Sequence, residues 1–192
     1  MGKRALARLT LCAAVLLTLV ASAPAQAMLR ADGASASSQT GTTTLGTISP
    51  TTPERALLTV INNARAARGL HRLALRNPLC QAAKTHSLSM LRLNYFSHDS
   101  ASGETYAARI LRYGYSKTGC TYWSVGEVIG WGTGDAAGSA KAIFAAWMRS
   151  VPHRTVIFAS RWRDVGIGRA VGTYAGYADV RMFTVDFGRR IY

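Results

Sequence analysis

From residue 52 onward, apolar positions recur first every three or four residues and later every two, and the two periods mark out helices and strands. Thr52-Pro53-Glu54 reads as a helix start, with a capping hydroxyl, a proline in the first turn and an acid at the positive dipole end. Leu57, Leu58, Ile61, Ala64 and Arg65 follow at helical spacing, and Gly69 can close the helix in a left-handed cap. Asn77-Pro78 repeats the signal, and Leu79, Ala82, Ala83, His86, Met90 and Leu93 then share one face of a second helix. A third helix is predicted from Thr105 to Tyr113, ahead of Gly114. A fourth is predicted from Ser139 to Arg149, with Ile143, Ala146 and Trp147 turned inward. Ser124 to Trp131 reads as a short strand, and Asp164–Val171 with Tyr177–Phe187 as a hairpin across a Gly/Tyr/Ala turn. Helices first, then strands and helices mixed, predict an α+β domain with helices packed on a mostly antiparallel sheet.

Ahead of this domain the pattern changes twice. Lys3, Arg4 and Arg8 precede an uncharged, mostly apolar run from Leu9 to Ala21, and Ala25-Gln26-Ala27 offers small residues where a signal peptidase would cut. Residues 1–27 are therefore expected to be a signal peptide; the alternative is a retained membrane anchor, for which the apolar run is short against a bilayer core of ~30 Å. Residues 28–52, nearly all small or polar, are expected to form a flexible linker, and residues 53–190 the folded domain. No transmembrane segment is expected in the mature chain.

Export changes what the charge means. The chain carries a formal +14, and removing Lys3, Arg4 and Arg8 lowers it by three, to +11. A secreted location argues against intracellular nucleic acid. An anionic cell-envelope polymer, a lipid surface or another protein fits better, and a basic surface that merely aids solubility is the bland alternative. Cys12 leaves with the signal, so Cys80 and Cys120 remain. In an oxidising compartment they are expected to form one disulfide, across a loop of roughly 40 residues. A free buried pair is the alternative.

Few residues could carry chemistry. His71 lies in a basic loop and is assigned no role. His86 falls on an apolar helix face, where a hydrogen-bonded core histidine is the commoner outcome; it is a secondary candidate. His98 follows Asn94-Tyr95-Phe96-Ser97 and enters a polar loop, and His153 follows Pro152 just beyond the fourth helix. Glu127 is the single acid in Val125-Gly126-Glu127-Val128-Ile129. A carboxylate in a core strand is costly unless it is paired, and the two histidines are its natural partners.

These segments resemble a known family. Ala83-Lys84-Thr85-His86-Ser87 with Met90, Tyr95-Phe96-Ser97-His98, Gly126-Glu127-Val128-Ile129, Ala146-Trp147-Met148-Arg149-Ser150 with His153-Arg154, and Val165-Gly166-Ile167-Gly168 stand in the order seen in bacterial CAP domains. That superfamily holds the cysteine-rich secretory proteins, antigen 5 and plant pathogenesis-related protein 1, and the resemblance covers Glu54 to Gly188. It implies a three-layer α-β-α sandwich with a surface cleft that carries two histidines and usually two acids. His98, Glu127 and His153 match cleft positions and would be the ligands of a divalent cation such as zinc; His86 matches a second common bacterial histidine. No acid precedes Trp147, so the second cleft carboxylate of eukaryotic members has no counterpart there, and weak or absent metal affinity is expected.

Three functions follow as expectations. The first is a secreted, non-catalytic binding module whose cleft takes a metal, lipid or envelope component. The second is a metal-assisted hydrolase using the same cleft, although His-Glu-x-x-His is absent and no separate general base is evident. The third is a structural, envelope-associated basic protein. Gly-x-Ser-x-Gly is also absent, which argues against a serine hydrolase.

Overall fold

A computed structural model describes residues 49–192, so the expected signal peptide and all but the last residues of the expected linker lie outside the described residues. Six helices and four strands follow in the order α1 (Thr52–Ala66), β1 (Ala74–Leu75), α2 (Asn77–Arg92), α3 (Tyr106–Arg112), β2 (Tyr122–Thr133), α4 (Gly134–Ala137), α5 (Ala140–Met148), α6 (Val151–Ile157), β3 (Asp164–Tyr174) and β4 (Tyr177–Ile191). The strands form one sheet in the order β1-β3-β4-β2. β4 pairs antiparallel with both β2 and β3, while the two-residue β1 pairs parallel with β3. The sheet is mixed, and antiparallel apart from that short edge.

Thr51, rather than Thr52, caps α1. Glu54 Oε2 accepts from the Thr51 backbone N–H at 2.6 Å and from its hydroxyl at 2.8 Å, a reciprocal box at the first turn. The other Glu54 oxygen accepts from the Arg169 N–H on β3 at 2.9 Å, so the same buried acid pins α1 to the sheet.

Period-two alternation then sorts the strands between two helical layers. Val128, Ile167, Val185 and Phe187 face α1, α5 and α6, packing with Leu57, Ile61, Ile143, Trp147 and Trp162. On the other face Ile129, Val180 and Met182 meet Met90 and Leu91 of α2, and Leu79 and Ala82 meet Ile110 and Tyr115. The Val165-Gly166-Ile167-Gly168 run explains how close α2 comes. A Cβ on Gly166 would lie 2.0 Å from the Leu79 carbonyl carbon, and one on Gly168 2.1 Å from the Lys84 nitrogen. The backbone of α2 lies directly on β3, which only glycine permits there.

Two expectations need correction. Pro152 does not merely end the preceding helix. It sits in the first turn of α6, so His153 is helical, because proline at that point forfeits no intrahelical hydrogen bond. The expected disulfide is not formed. Cys80 is a free thiol buried on the core side of α2, and the Cys120 sulfur instead lies 4.0 Å from the Ser116 and Thr118 carbonyl oxygens in the turn before β2. The two cysteines are committed to different local environments. Among the described residues no helix is long and apolar enough to cross a membrane.

Candidate functional site

The site begins at Glu127, midway along β2, the edge strand of the sheet. Its side chain is fully buried on the face that carries α2 and α3, and both carboxylate oxygens are engaged. Oε1 accepts from His98 Nδ1 at 2.8 Å, and Oε2 accepts from Arg109 Nη2 of α3. Arg109 also donates from Nη1 to the His98 carbonyl at 3.2 Å and to Ser100 Oγ at 3.1 Å. One buried guanidinium thus neutralises the acid and fixes the loop that presents His98. Removing one partner of such a buried pair typically costs about 3–5 kcal/mol.

Because Nδ1 donates to Glu127, His98 turns Nε2 away from the acid. The His98 side chain is 51% exposed, and the hydrogen bond to Glu127 raises its pKa above the ordinary histidine value. His86 lies behind this loop. Its Nε2 donates to the Ser97 carbonyl at 2.8 Å, and Tyr95 meets its ring edge-on. Burial lowers its pKa. It is the hydrogen-bonded core histidine, holding the residue next to His98.

His153 does not bond to Glu127. It comes from α6 on the opposite helical layer and stacks on Trp147, with ring centroids 6.3 Å apart. Its Nδ1 is buried without a hydrogen-bond partner, and burial, then the charge of His98, lowers its pKa. The two histidines therefore act on each other across the edge strand, but Glu127 serves only one of them. Next to His153 is a cavity of about 210 Å³ lined by Phe96, Ile129, Trp131, Ile143 and Trp147. Its rim continues into an aromatic cluster: Tyr174 packs on Phe96 and Trp131, and Tyr177 on Trp131. Phe96 and Tyr177 are 41% and 57% exposed.

A divalent cation held by His98, Glu127 and His153 does not fit this arrangement. Both Glu127 oxygens are occupied, one of them by a buried cation. Among the described residues no group of three or more His, Cys, Asp or Glu side chains is placed to hold an ion. Nor does any described Ser, Thr or Cys side chain hydrogen-bond to the His98 or His153 ring.

Two functional residues escape a reading of the sequence. Arg109 looks like one of several arginines on a short helix, and only the need of Glu127 for a cation could have pointed to it. Asp186 on β4 stands directly opposite Glu127 in the strand register and is completely buried. No donor reaches either of its oxygens. Complete burial, and then the Glu127 carboxylate, push its pKa well above the ordinary carboxylate range. Neutral, Asp186 can share its own proton with Glu127. A second carboxyl thus stands beside Glu127, buried within the sheet.

The model of the cysteine-rich secretory protein family matches residues 58–187. Among solved structures, an outer surface protein of Borrelia burgdorferi superposes with a TM-score of 0.58 at 20% identity, over 71% of this chain and 91% of that one. An extracellular protein of Bacillus anthracis containing an SCP domain gives 0.57 at 26% identity; 71% of this chain corresponds to 40% of it. A venom allergen-like protein of Schistosoma mansoni gives 0.52 at 10% identity, over 74% and 92% of the two chains. No curated protein matches the chain.

Proposed function

The chain belongs to the cysteine-rich secretory protein family, and from that premise we propose that it is a secreted, non-catalytic binding module. Its cleft, built around His98, Glu127 and His153, takes an envelope component or lipid. The observation that carries this reading is the exposed aromatic rim of Phe96, Trp131, Tyr174 and Tyr177 beside the His153 cavity. Aromatic side chains give large contact area at low entropic cost, which suits adhesion to an apolar or ring-shaped surface. Two structural relatives, an outer surface protein and an extracellular protein, support a location outside the cytoplasm.

The hydrolase alternative has less support. The carboxylate is tied to Arg109 and orients His98, whose free Nε2 could serve as a general base, but among the described residues no Ser, Thr or Cys side chain hydrogen-bonds to that ring.

The reading is tested by sedimentation with envelope fractions at rising salt. The wild type should co-sediment, and Phe96→Ala/Trp131→Ala should not. Turnover of ester or peptide probes that Glu127→Gln abolishes would instead establish the hydrolase.

A further inference from the structure

A second cavity lies away from this cleft. It measures about 530 Å³, and its walls include His71, Tyr122, Arg161, Arg163, Arg189 and Ile191. Strand parity puts it on the opposite face of the sheet from Glu127. Tyr122 and Ser124 share a face of β2 with Val128, which packs under α1 and α5, and they pair with Ile191 and Arg189 of β4. On the other side of β4 the ladder ends at Asp164 opposite Gly188, and Arg163, just before it, leaves the ladder and donates its N–H to the Gly188 carbonyl at 3.1 Å, so that Arg163 and Arg189 both reach the cavity wall.

Arg161, Arg163 and Arg189 bring three guanidinium side chains to one cavity. No acid relieves them, because none lines the cavity. Asp164, adjacent in sequence, is already engaged by Arg76 at 2.7 Å and by the Tyr115 hydroxyl at 2.6 Å. A further guanidinium stands behind the wall. Arg65 is completely buried with no carboxylate, donating to the carbonyls of His71 at 2.9 Å, Ile157 at 2.6 Å and Ala159 at 3.2 Å. Its Nη2 has no partner, and burial, then the charge of Arg163, disfavours its ionised form. Arg65 thereby braces both loops that bound the cavity, near His71 and near Ser160, at an electrostatic cost.

We propose that this cavity is a binding site for an organic phosphate, with the phosphoryl oxygens between Arg163 and Arg189 and the carbon-bearing part against Tyr122 and Ile191. Guanidinium forks match phosphate oxygens in bidentate geometry. A phosphomonoester, at about −1.5 to −2, or two successive phosphodiesters, answer several uncompensated cations better than one carboxylate does. The cavity exceeds the needs of a bare phosphate ion and is in the range of small-ligand sites. A free phosphate ester and a phosphodiester polymer of the envelope present the same chemistry.

Calorimetry on the purified protein separates these cases. Glycerol 3-phosphate should bind saturably where glycerol does not, and Arg163→Gln/Arg189→Gln should weaken it at least tenfold. Arg55→Gln/Arg92→Gln removes the same charge elsewhere and should leave it unchanged, as should His98→Ala. Arg163 also donates to the Ser160 and Trp162 carbonyls, so Arg189→Gln alone serves if the double variant is unstable. Affinity for poly(glycerol phosphate) at least tenfold above the monoester, lost in the same variants, identifies the polymer; no gain identifies the free ester. Equal weakening by the cavity and control pairs, or no saturable binding by either phosphate, overturns the proposal.

Discussion

The two faces of the sheet treat buried charge in opposite ways. Around Glu127 each charge meets its counterpart: the carboxylate has one oxygen on Arg109 and one on His98, and the flanking Asp186 carboxyl is driven toward its neutral form. Around Arg163 and Arg189 the charges have no counterpart, and buried Arg65 behind them has only carbonyls. A compensated cluster holds elements together whether or not anything binds. An uncompensated one is left open to an anion. The difference gives the Glu127 carboxylate a positioning part within its own cleft and leaves the arginine cavity with charge to spare.

The sharpest way to break this contrast is Arg109→Leu. It strands Glu127 without its buried cation, and a loss of about 3–5 kcal/mol is expected in urea unfolding. A loss under about 1 kcal/mol would mean that the acid is not held as described.

Asp186→Asn probes the same cluster by pH. In the native protein Asp186 keeps its proton above the ordinary carboxylate value while the unfolded chain has lost it, so wild-type stability falls as pH rises through that window. The variant lacks this slope. Its advantage should grow by up to about 1.4 kcal/mol per pH unit from about pH 4 upward, until the native carboxyl titrates. Parallel stability curves for the two proteins would refute the buried neutral acid.

The histidines should separate in a proton-NMR titration. His98 should titrate above ~6.5, and His153 and His86 below it. The stability from His98 is complete below ~6.5 and is lost as pH climbs through its raised native value. His153 and His86 are favoured neutral, so their contribution is present above ~6.5 and is lost as pH falls through their lowered values. Finding His98 below His153 would contradict the Glu127 hydrogen bond.

The smallest effect belongs to the other face. Arg189→Gln should change stability by no more than about 0.5 kcal/mol, since it removes a guanidinium from a cavity that no acid lines. A loss comparable to that of Arg109→Leu would show an internal counter-charge and erase the contrast between the faces. Zinc calorimetry completes the series: negligible heat in both wild type and His153→Ala is expected, because both Glu127 oxygens already accept hydrogen bonds and no described group of three ligand side chains is placed to hold an ion.

Much of the fold was legible because periodicity reports burial directly. The starts of α2 and α5 and the β3–β4 hairpin followed from spacing and turn chemistry, whereas the need for glycine at 166 and 168 shows only once α2 is seated on β3. The second carboxyl was not legible. Asp186 lies 59 positions after Glu127 in the sequence, and the two become neighbours only through the register of β2 on β4. Arg109 was hidden for a similar reason, since an arginine on a seven-residue helix reads as solvated until the helix is placed over a buried acid.

The sequence by itself determined most of the longer elements, the family and the requirement that Glu127 find partners, because local pattern and the cost of burying a charge need no knowledge of topology; β1, α4 and α6 were not read from it. Tertiary structure alone decided which partners those are. It gave Glu127 a histidine and an arginine in place of two histidines, and gathered Arg163 and Arg189 around one cavity. Each of these is a distance between residues remote in the chain, and such distances are set by strand register and by the close seating of α2 on the glycines of β3.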